Sequence, residues 1–499
     1  MRYQCNLDTV LLNLPSNTGF EVWTIRDCIE GSQIFGGIGS GKTSGSGKTI
    51  ALKYLLNKFG GLVLTAKPSE KQLWINYCKQ TGRNEDLIIL EPGGEHSFNF
   101  LEYISKHPQA GVSLTENIVQ ILKTVIRSSE EKSSAKADDP FWENALDLLL
   151  FNSIDLCLLA YGKVSVTMLY EIVTTAPKKG VEINSKPKTG TFGFALERAQ
   201  QKITDQIDLL VEKMTEAQKA QLEDDYQKDI FFSEHITGYS TLKTIDQFFS
   251  EFYLNVSDKT KGIIEFCFTG FLFRLLKEPV SSLLCSKEST VTPEDCLDGK
   301  IILVNLPVKN FQKVGRDAQV LVKYIWQQAM ERRNIELNNR PIFLWADEAQ
   351  HFIHEYDAEC QATARSSMIA TVYLTQNLPN YHANMGGAKS EYRVKAFLGT
   401  LASKFFHANA DLDTNIFASS LIGEAYETDT QNSVSIGENF SSGKSESYRL
   451  KKMVRPEHFV QLKTGGPKNN FITEAYIHKQ GNSFSDGFNH KLLPFKQTI

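Results

Sequence analysis

The run Gly36-Gly37-Ile38-Gly39-Ser40-Gly41-Lys42-Thr43 constrains this chain more than any other. It satisfies GxxxxGK[ST], sits directly after an apolar segment, Ser32 to Phe35, and precedes a helical run from Thr49 to Lys58. Glycines let a backbone turn its N–H groups inward around phosphate oxygens, a lysine there adds positive charge, and the next hydroxyl can ligate Mg²⁺ at a helix N-terminus. Gly36, Gly37, Gly39, Ser40, Gly41, Lys42 and Thr43 are therefore the candidate nucleotide-binding residues, with ATP and Mg²⁺ as the implied ligands. A second GKT, Gly47-Lys48-Thr49, has Lys42 where the opening glycine belongs. Either GKT can in principle hold phosphates, and the full pattern beside a strand favours Lys42.

Strand–loop–helix units of this kind belong in α/β folds with a mainly parallel sheet. Short apolar runs predict further strands at Gly61 to Ala66, Leu87 to Leu90, Ile301 to Asn305, Ile342 to Ala346, Ile369 to Thr375 and Lys404 to His407. Between Pro92 and about Glu288 the rhythm changes to helical periodicity, at Ser113 to Arg127, Phe141 to Ala160, Phe194 to Leu222 and Ile263 to Leu276. The pattern predicts a sheet domain split by an inserted all-helical domain: residues 1–91, then 92–290, then 291–499. Flexible seams are expected at Ser128 to Pro140 and Pro177 to Gly190, which are poor in apolar residues. With 499 residues, 41% of them hydrophobic, the chain has ample material for two to four folding units, and disorder is excluded.

Pro341 to Ala346 is a nearly continuous apolar run that ends in Asp347-Glu348, as suits a buried parallel strand delivering two carboxylates at its C-terminal edge. Asp347 would hold Mg²⁺ through a water or through Thr43, and Glu348 would orient and activate the attacking water. The next strand ends at Gln376, whose amide could touch the γ-phosphate or that water. Arg365 stands at the expected end of a helix, where it reads equally as a favourable C-terminal cation or as an arginine finger for a neighbouring subunit.

The ordered set GGIGSGKTSGSGKT, LVLTAKPSE, DPFWENALDLLL, KIILVNLP, PIFLWADEAQHF and ARSSMIATVYLTQNLPNY resembles the VirD4/TraG/TraD type IV coupling ATPases of bacterial conjugation, a group within the FtsK/HerA-like motors. The resemblance implies a RecA-like P-loop NTPase domain interrupted by an all-α domain, working as a hexameric ring that moves DNA, with a relaxase or a type IV secretion channel as partner. It makes Lys42 and Thr43 the Walker A pair, Asp347 and Glu348 the Walker B pair and Gln376 the sensor glutamine, and it favours the finger role for Arg365. Where many relatives have Asp-Pro-Lys-Gly, this chain has Thr65-Ala66-Lys67-Pro68, which keeps the lysine alone.

A net charge of -4 argues against a protein that coats nucleic acid by bulk charge, so DNA contact would need a local strip. Gly443 to Lys468 carries Lys444, Arg449, Lys451, Lys452, Arg455, Lys463 and Lys468 against Glu446 and Glu457, and Ser433 to Ser447 reads as a mobile loop. The aromatic stretches Phe248 to Phe252 and Phe266 to Phe273, with Phe141 and Trp142, read as helical core, and His351 with His354 lacks a third metal ligand. The 8 cysteines show no zinc spacing and read as buried thiols of a reducing compartment. No uninterrupted apolar stretch reaches the length of a membrane helix, so the expectation is a cytoplasmic protein recruited to the inner membrane by partners. The rival readings are a HerA-like translocase of repair or phage defence with a nuclease partner, and a nucleotide switch or scaffold that does not translocate.

Overall fold

The computed structural model describes residues 3–16, 19–108, 111–130, 140–179, 187–220, 222, 224–285, 287–385, 390–436, 440–481 and 484–497. They form two compact units. The first comprises Met1–Ile88, Glu294–Val304 and Trp326–Ile499, and the second Ile89–Pro293 with Asn305–Ile325.

Thirteen strands occur among the described residues: β1 (Val10–Ser16), β2 (Gly19–Thr24), β3 (Ser32–Phe35), β4 (Gly60–Leu64), β5 (Leu87–Leu90), β6 (Ile301–Val304), β7 (Ile342–Ala346), β8 (Ile369–Thr375), β9 (Ser403–His407), β10 (Glu424–Ile436), β11 (Phe440–Lys452), β12 (Ile472–Lys479) and β13 (His490–Lys496). Nine of them build one sheet in the order β13-β12-β9-β3-β8-β7-β4-β6-β5. From β9 through β6 all neighbours run parallel, while β12 is antiparallel to both β9 and β13. Strands β3, β4, β6, β7, β8 and β9 are buried along their whole length, which is why they read as continuous apolar runs. Because these strands are parallel, the loops after Phe35, Leu64, Ala346 and Thr375 all leave from one edge, where ligands bind in open α/β sheets.

Aromatic packing fixes the layers around this edge. Trp74 on the helix Ser69–Gln80 stacks on Phe343 at 5.5 Å and meets Trp345 edge-on at 5.4 Å, and Phe35 stacks on Phe406 at 5.6 Å. Arg83, 1% exposed, donates to the carbonyls of Leu55, Phe59 and Gly299 and pairs with Asp86, tying three stretches of chain to one side chain.

The second unit is helical: Phe100–Lys106, Leu114–Glu130, Pro140–Tyr161, Val166–Thr174, Phe192–Glu212, Glu216–Ala220, Asp225–His235, Tyr239–Gln247, Asp258–Leu276 and Val280–Leu284 lie within it, as does most of the helix Val308–Glu331. The helix expected over 194–222 ends at Glu212 and restarts at Glu216. Within this unit Arg274 pairs with Asp317 at 3.0 Å and Arg316 donates to the carbonyl of Ser128, which draws in residues assigned by sequence to the third segment. One stretch, Asn144–Tyr161, is long and apolar enough to cross a membrane by length and composition, and 56% of it is buried inside the protein. Of the aromatics read as core, Phe248, Phe249, Phe268 and Phe271 are buried, whereas Phe252, Phe266 and Phe273 are exposed. Most of the first expected seam and part of the second (131–139 and 180–186) lie outside the described residues, as do the side chains of Phe141 and Trp142.

Three hairpins escape a reading based on apolar runs, β12 with β13 at the sheet edge among them. β1 and β2 pair antiparallel, and β10 and β11 form a thirteen-pair antiparallel ribbon from Glu424↔Lys452 to Ile436↔Phe440. The ribbon replaces the loop expected at Ser433 to Ser447. Polar residues dominate both of its strands and no buried face occurs among its described side chains, so the pairing is invisible in hydropathy.

Candidate nucleotide site

The phosphate loop leaves β3 at Gly36, whose N–H donates to the carbonyl of Thr375 at 3.2 Å, and Gly37 N–H donates to Ala408 at 2.9 Å. The loop therefore hangs from the ends of the strands on either side of β3. Gly39 and Gly41 take φ of +73° and +83°, a region that L side chains rarely adopt, and a Cβ on Gly41 would sit 2.2 Å from Thr473 Cγ2. Lys42 then enters right-handed backbone and Thr43–Gly47 winds as a wide turn before the regular helix Lys48–Leu56. Ser40 Oγ is buried and has no hydrogen-bond partner, as expected of a group waiting for a phosphate oxygen. In the second GKT, Gly47 ends the wide turn and Lys48 and Thr49 open the regular helix, with Thr49 Oγ1 donating back to the Gly45 carbonyl at 2.9 Å.

Across the edge, Thr43 Oγ1 donates to Asp347 Oδ2 at 2.9 Å. Asp347 and Glu348 follow β7 and are 4% and 5% exposed. Glu348 has left-handed backbone, φ 51° and ψ 48°, a conformation that costs a non-glycine residue free energy and collects at functional sites. Its carboxylate accepts from Lys67 Nζ at 2.7 Å, from Gln350 Nε2 at 3.0 Å and from Gln376 Nε2 at 3.3 Å. Thr375 Oγ1 in turn donates to Gln350 Oε1 at 2.8 Å. Burial would raise the pKa of Glu348, but the Lys67 and Gln350 hydrogen bonds with the charges of Lys42 and Lys67 outweigh it and hold the carboxyl at about 2.

Strand β8 lies between the phosphate-loop strand β3 and the acidic strand β7, so Gln376 at its end stands between the two halves of the site. Lys67, which sequence treats equally as a solvated strand-end lysine, is drawn into the site. Burial works against its charge, and Asp347 and Glu348 together more than reverse that, raising its pKa. Three other residues carry no signal in the sequence. Ser46 Oγ meets His407 Nε2 at 2.7 Å beneath the loop, and burial holds that imidazole down at about 3, hence neutral. Glu70, 5% exposed, is raised to about 8, by burial first and the Asp347 charge second. Neither Ser, His nor Glu at such positions belongs to a phosphate-loop pattern, and only the tertiary fold brings them near.

Arg365 is not part of this cluster. It follows the helix Tyr356–Ala364, its side chain is 62% exposed, and it pairs with Glu30 at 3.4 Å. No group of three or more His, Cys, Asp or Glu among the described residues is arranged to hold a metal, and the backbone N–H of His354 donates to Asp357 Oδ2 at 2.8 Å. Cys28, Cys78, Cys157, Cys296 and Cys360 are buried, and Cys5, Cys267 and Cys285 partly so.

The basic C-terminal segment is largely paired within the protein. Lys451 bridges Glu427 at 3.0 Å and Asp429 at 2.8 Å, Arg449 reaches Asp429 at 3.4 Å, Lys444 pairs with Glu446 at 2.7 Å and Lys463 with Glu474 at 2.7 Å. The facing strand of the ribbon supplies carboxylates that a linear count of the segment leaves out.

No curated protein matches the sequence. Among solved structures, the conjugative coupling protein TrwB lacking its first 70 residues superposes with a TM-score of 0.56 at 12% identity, over 98% of this chain and 89% of that one. TrwB in complex with the non-hydrolysable ATP analogue ADPNP gives a TM-score of 0.57 at 14% identity, over 100% and 91%. TrwB with ADP and Mg²⁺ gives 0.56 at 13%, over 100% and 90%. These likenesses establish the fold as a RecA-like P-loop NTPase fold. The model of the family "Type IV secretory system Conjugative DNA transfer" matches residues 15–465, and the chain belongs to that family.

Proposed function

We propose that this protein is an ATP- and Mg²⁺-dependent motor that moves DNA in conjugative or type IV secretion transfer. One observation carries the reading: the phosphate-loop hydroxyl of Thr43 is hydrogen-bonded to Asp347 at 2.9 Å while Glu348 and Gln376 meet on the same sheet edge. The nucleotide complexes of TrwB support the choice of ligands.

In this reading Gly36, Gly37, Gly39, Ser40 and Gly41 wrap the phosphates, Lys42 supplies charge to the β/γ oxygens, and Thr43 and Asp347 hold the cation. Bound Mg²⁺ supplies charge neutralisation of the phosphates. Glu348, ionised at neutral pH, orients and deprotonates the attacking water, and Gln376, bonded to it, senses whether the γ-phosphate is present. Arg365, exposed and outside its own chain's site, reaches the nucleotide of a neighbouring subunit in a hexameric ring. Residues 1–91 and 291–499 then form the motor domain and 92–290 the cargo-facing insert, with a relaxase or the secretion channel as further partners.

The test is ATP turnover with and without single- and double-stranded DNA, with molecular mass measured alongside. Lys42→Ala and Glu348→Gln are each expected to lower turnover at least about 100-fold while preserving the thermal melt. Turnover indifferent to both kinds of DNA, in a monomer, would sink the motor reading and leave a switch.

A further inference from the structure

Glu70 is a buried carboxylate that no nucleotide-binding motif accounts for. It sits in the first turn of the helix Ser69–Gln80, beyond the end of β4, and one oxygen, Oε2, accepts from Ala66 N–H at 2.8 Å. The other, Oε1, is buried without a hydrogen-bond partner. Glu70, Asp347 and Thr43 line a common cavity of 10 Å³, whose remaining walls are Leu64, Leu73, Trp74, Tyr77 and Trp345. That is room for about one water, and apart from the Tyr77 hydroxyl the rest of the lining is apolar.

Two carboxyl groups share one closed space and one of them has an unsatisfied oxygen, an arrangement that either a proton on Glu70 or a positive group nearby relieves. The ammonium of Lys67 goes to Glu348 Oε1 instead. Mg²⁺ beside the cavity suits that chemistry: it is commonly held by one or two carboxylates plus phosphate oxygens and keeps several waters, one of which the cavity would take.

We infer that Glu70 is a second carboxylate of the cation site, a positioning residue whose free oxygen accepts from a water on the Mg²⁺ held by Thr43 and Asp347. The inference rests on the nucleotide reading above. It predicts that Glu70 sets the affinity for the cation and not for the nucleotide.

The experiment measures ADP binding to the full chain by calorimetry in EDTA, then Mn²⁺ binding to the protein–ADP complex by electron paramagnetic resonance. In Glu70→Gln the amide oxygen still accepts from Ala66, so the melting temperature is not lowered and the metal-free ADP affinity stays as in wild type. Mn²⁺ binding to the complex is expected to weaken roughly tenfold. Glu70→Asp, which restores the charge from a shorter side chain, is expected to recover part of the loss. Mn²⁺ affinity within about twofold of wild type in Glu70→Gln overturns the inference. A parallel fall in ADP affinity, Mn²⁺ affinity and melting temperature also overturns it, because it marks a structural role only. If the wild-type chain binds no ADP with or without metal, the nucleotide reading itself has failed.

Discussion

Two glutamates on neighbouring strand ends have opposite electrostatic settings. Glu348 is held at about 2, and Glu70 is raised to about 8. A carboxyl with a depressed pKa adds stability that is fully present above its ordinary value of 4.5 and lost as pH falls toward 2. One with a raised pKa adds stability that is present below 4.5 and lost as pH rises toward 8. Glu70→Gln removes the second dependence. Its stability relative to wild type should therefore grow from about pH 5 to about pH 8.5 in urea melts, and a constant gap would show that Glu70 is already ionised in the native state. Lys67→Ala removes the closest cation from Glu348, so the acid limb of the ATPase pH profile should move up by about one unit, the direction in which a general base becomes stronger. Lys67 could be placed at a strand end from sequence, but its partner could not, because the hydrogen bond joins residues on different strands. Asp347 and Thr43 were legible since each terminates a recognisable pattern, and Glu70 was not, since only the turn of one helix over the edge of β4 directs it to Asp347.

At the level of elements, the parallel strands were legible because burial on both faces leaves uninterrupted apolar runs. The antiparallel ones were not: β13 alternates buried and exposed residues, and among its described side chains the β10–β11 ribbon has no buried face to mark a period. That ribbon changes the expectation for Lys451, whose charge Glu427 and Asp429 already balance. Lys451→Glu should leave DNA affinity and its salt dependence unchanged, and a fall of about one in the slope of log affinity against log salt would show that phosphate displaces the two carboxylates. At the opposite edge of the sheet, where β4 and β6 begin, Arg83 ties the chain together. Arg83→Met strands three carbonyls and Asp86, so it should cost about 3 kcal/mol in denaturant unfolding.

For the whole molecule, the sheet unit is gathered from three separated stretches of sequence, and β4 pairs with β6 across the entire helical segment. Such pairing is costly in loop-closure entropy and slow to form. Arg365, exposed and paired with Glu30, gives the proposed ring a test that a single chain cannot satisfy. Arg365→Ala and Lys42→Ala chains should each be inactive alone, and an equimolar mixture should regain ATP turnover as each supplies what the other lacks. Mixtures as dead as their parents would place Arg365 at a helix end with no role across subunits.

The phosphate loop has a wall that the motif does not contain. Gly41 and Gly45 lie so close to Thr473 that a Cβ on either would collide with it, and Gln497 Nε2 donates to Ser44 Oγ at 2.7 Å. Ribosomes deliver the loop early and this hairpin most of the chain's length later. A nascent chain still lacking β12 and β13 thus lacks Thr473 and Gln497, the residues that close on the loop from that side.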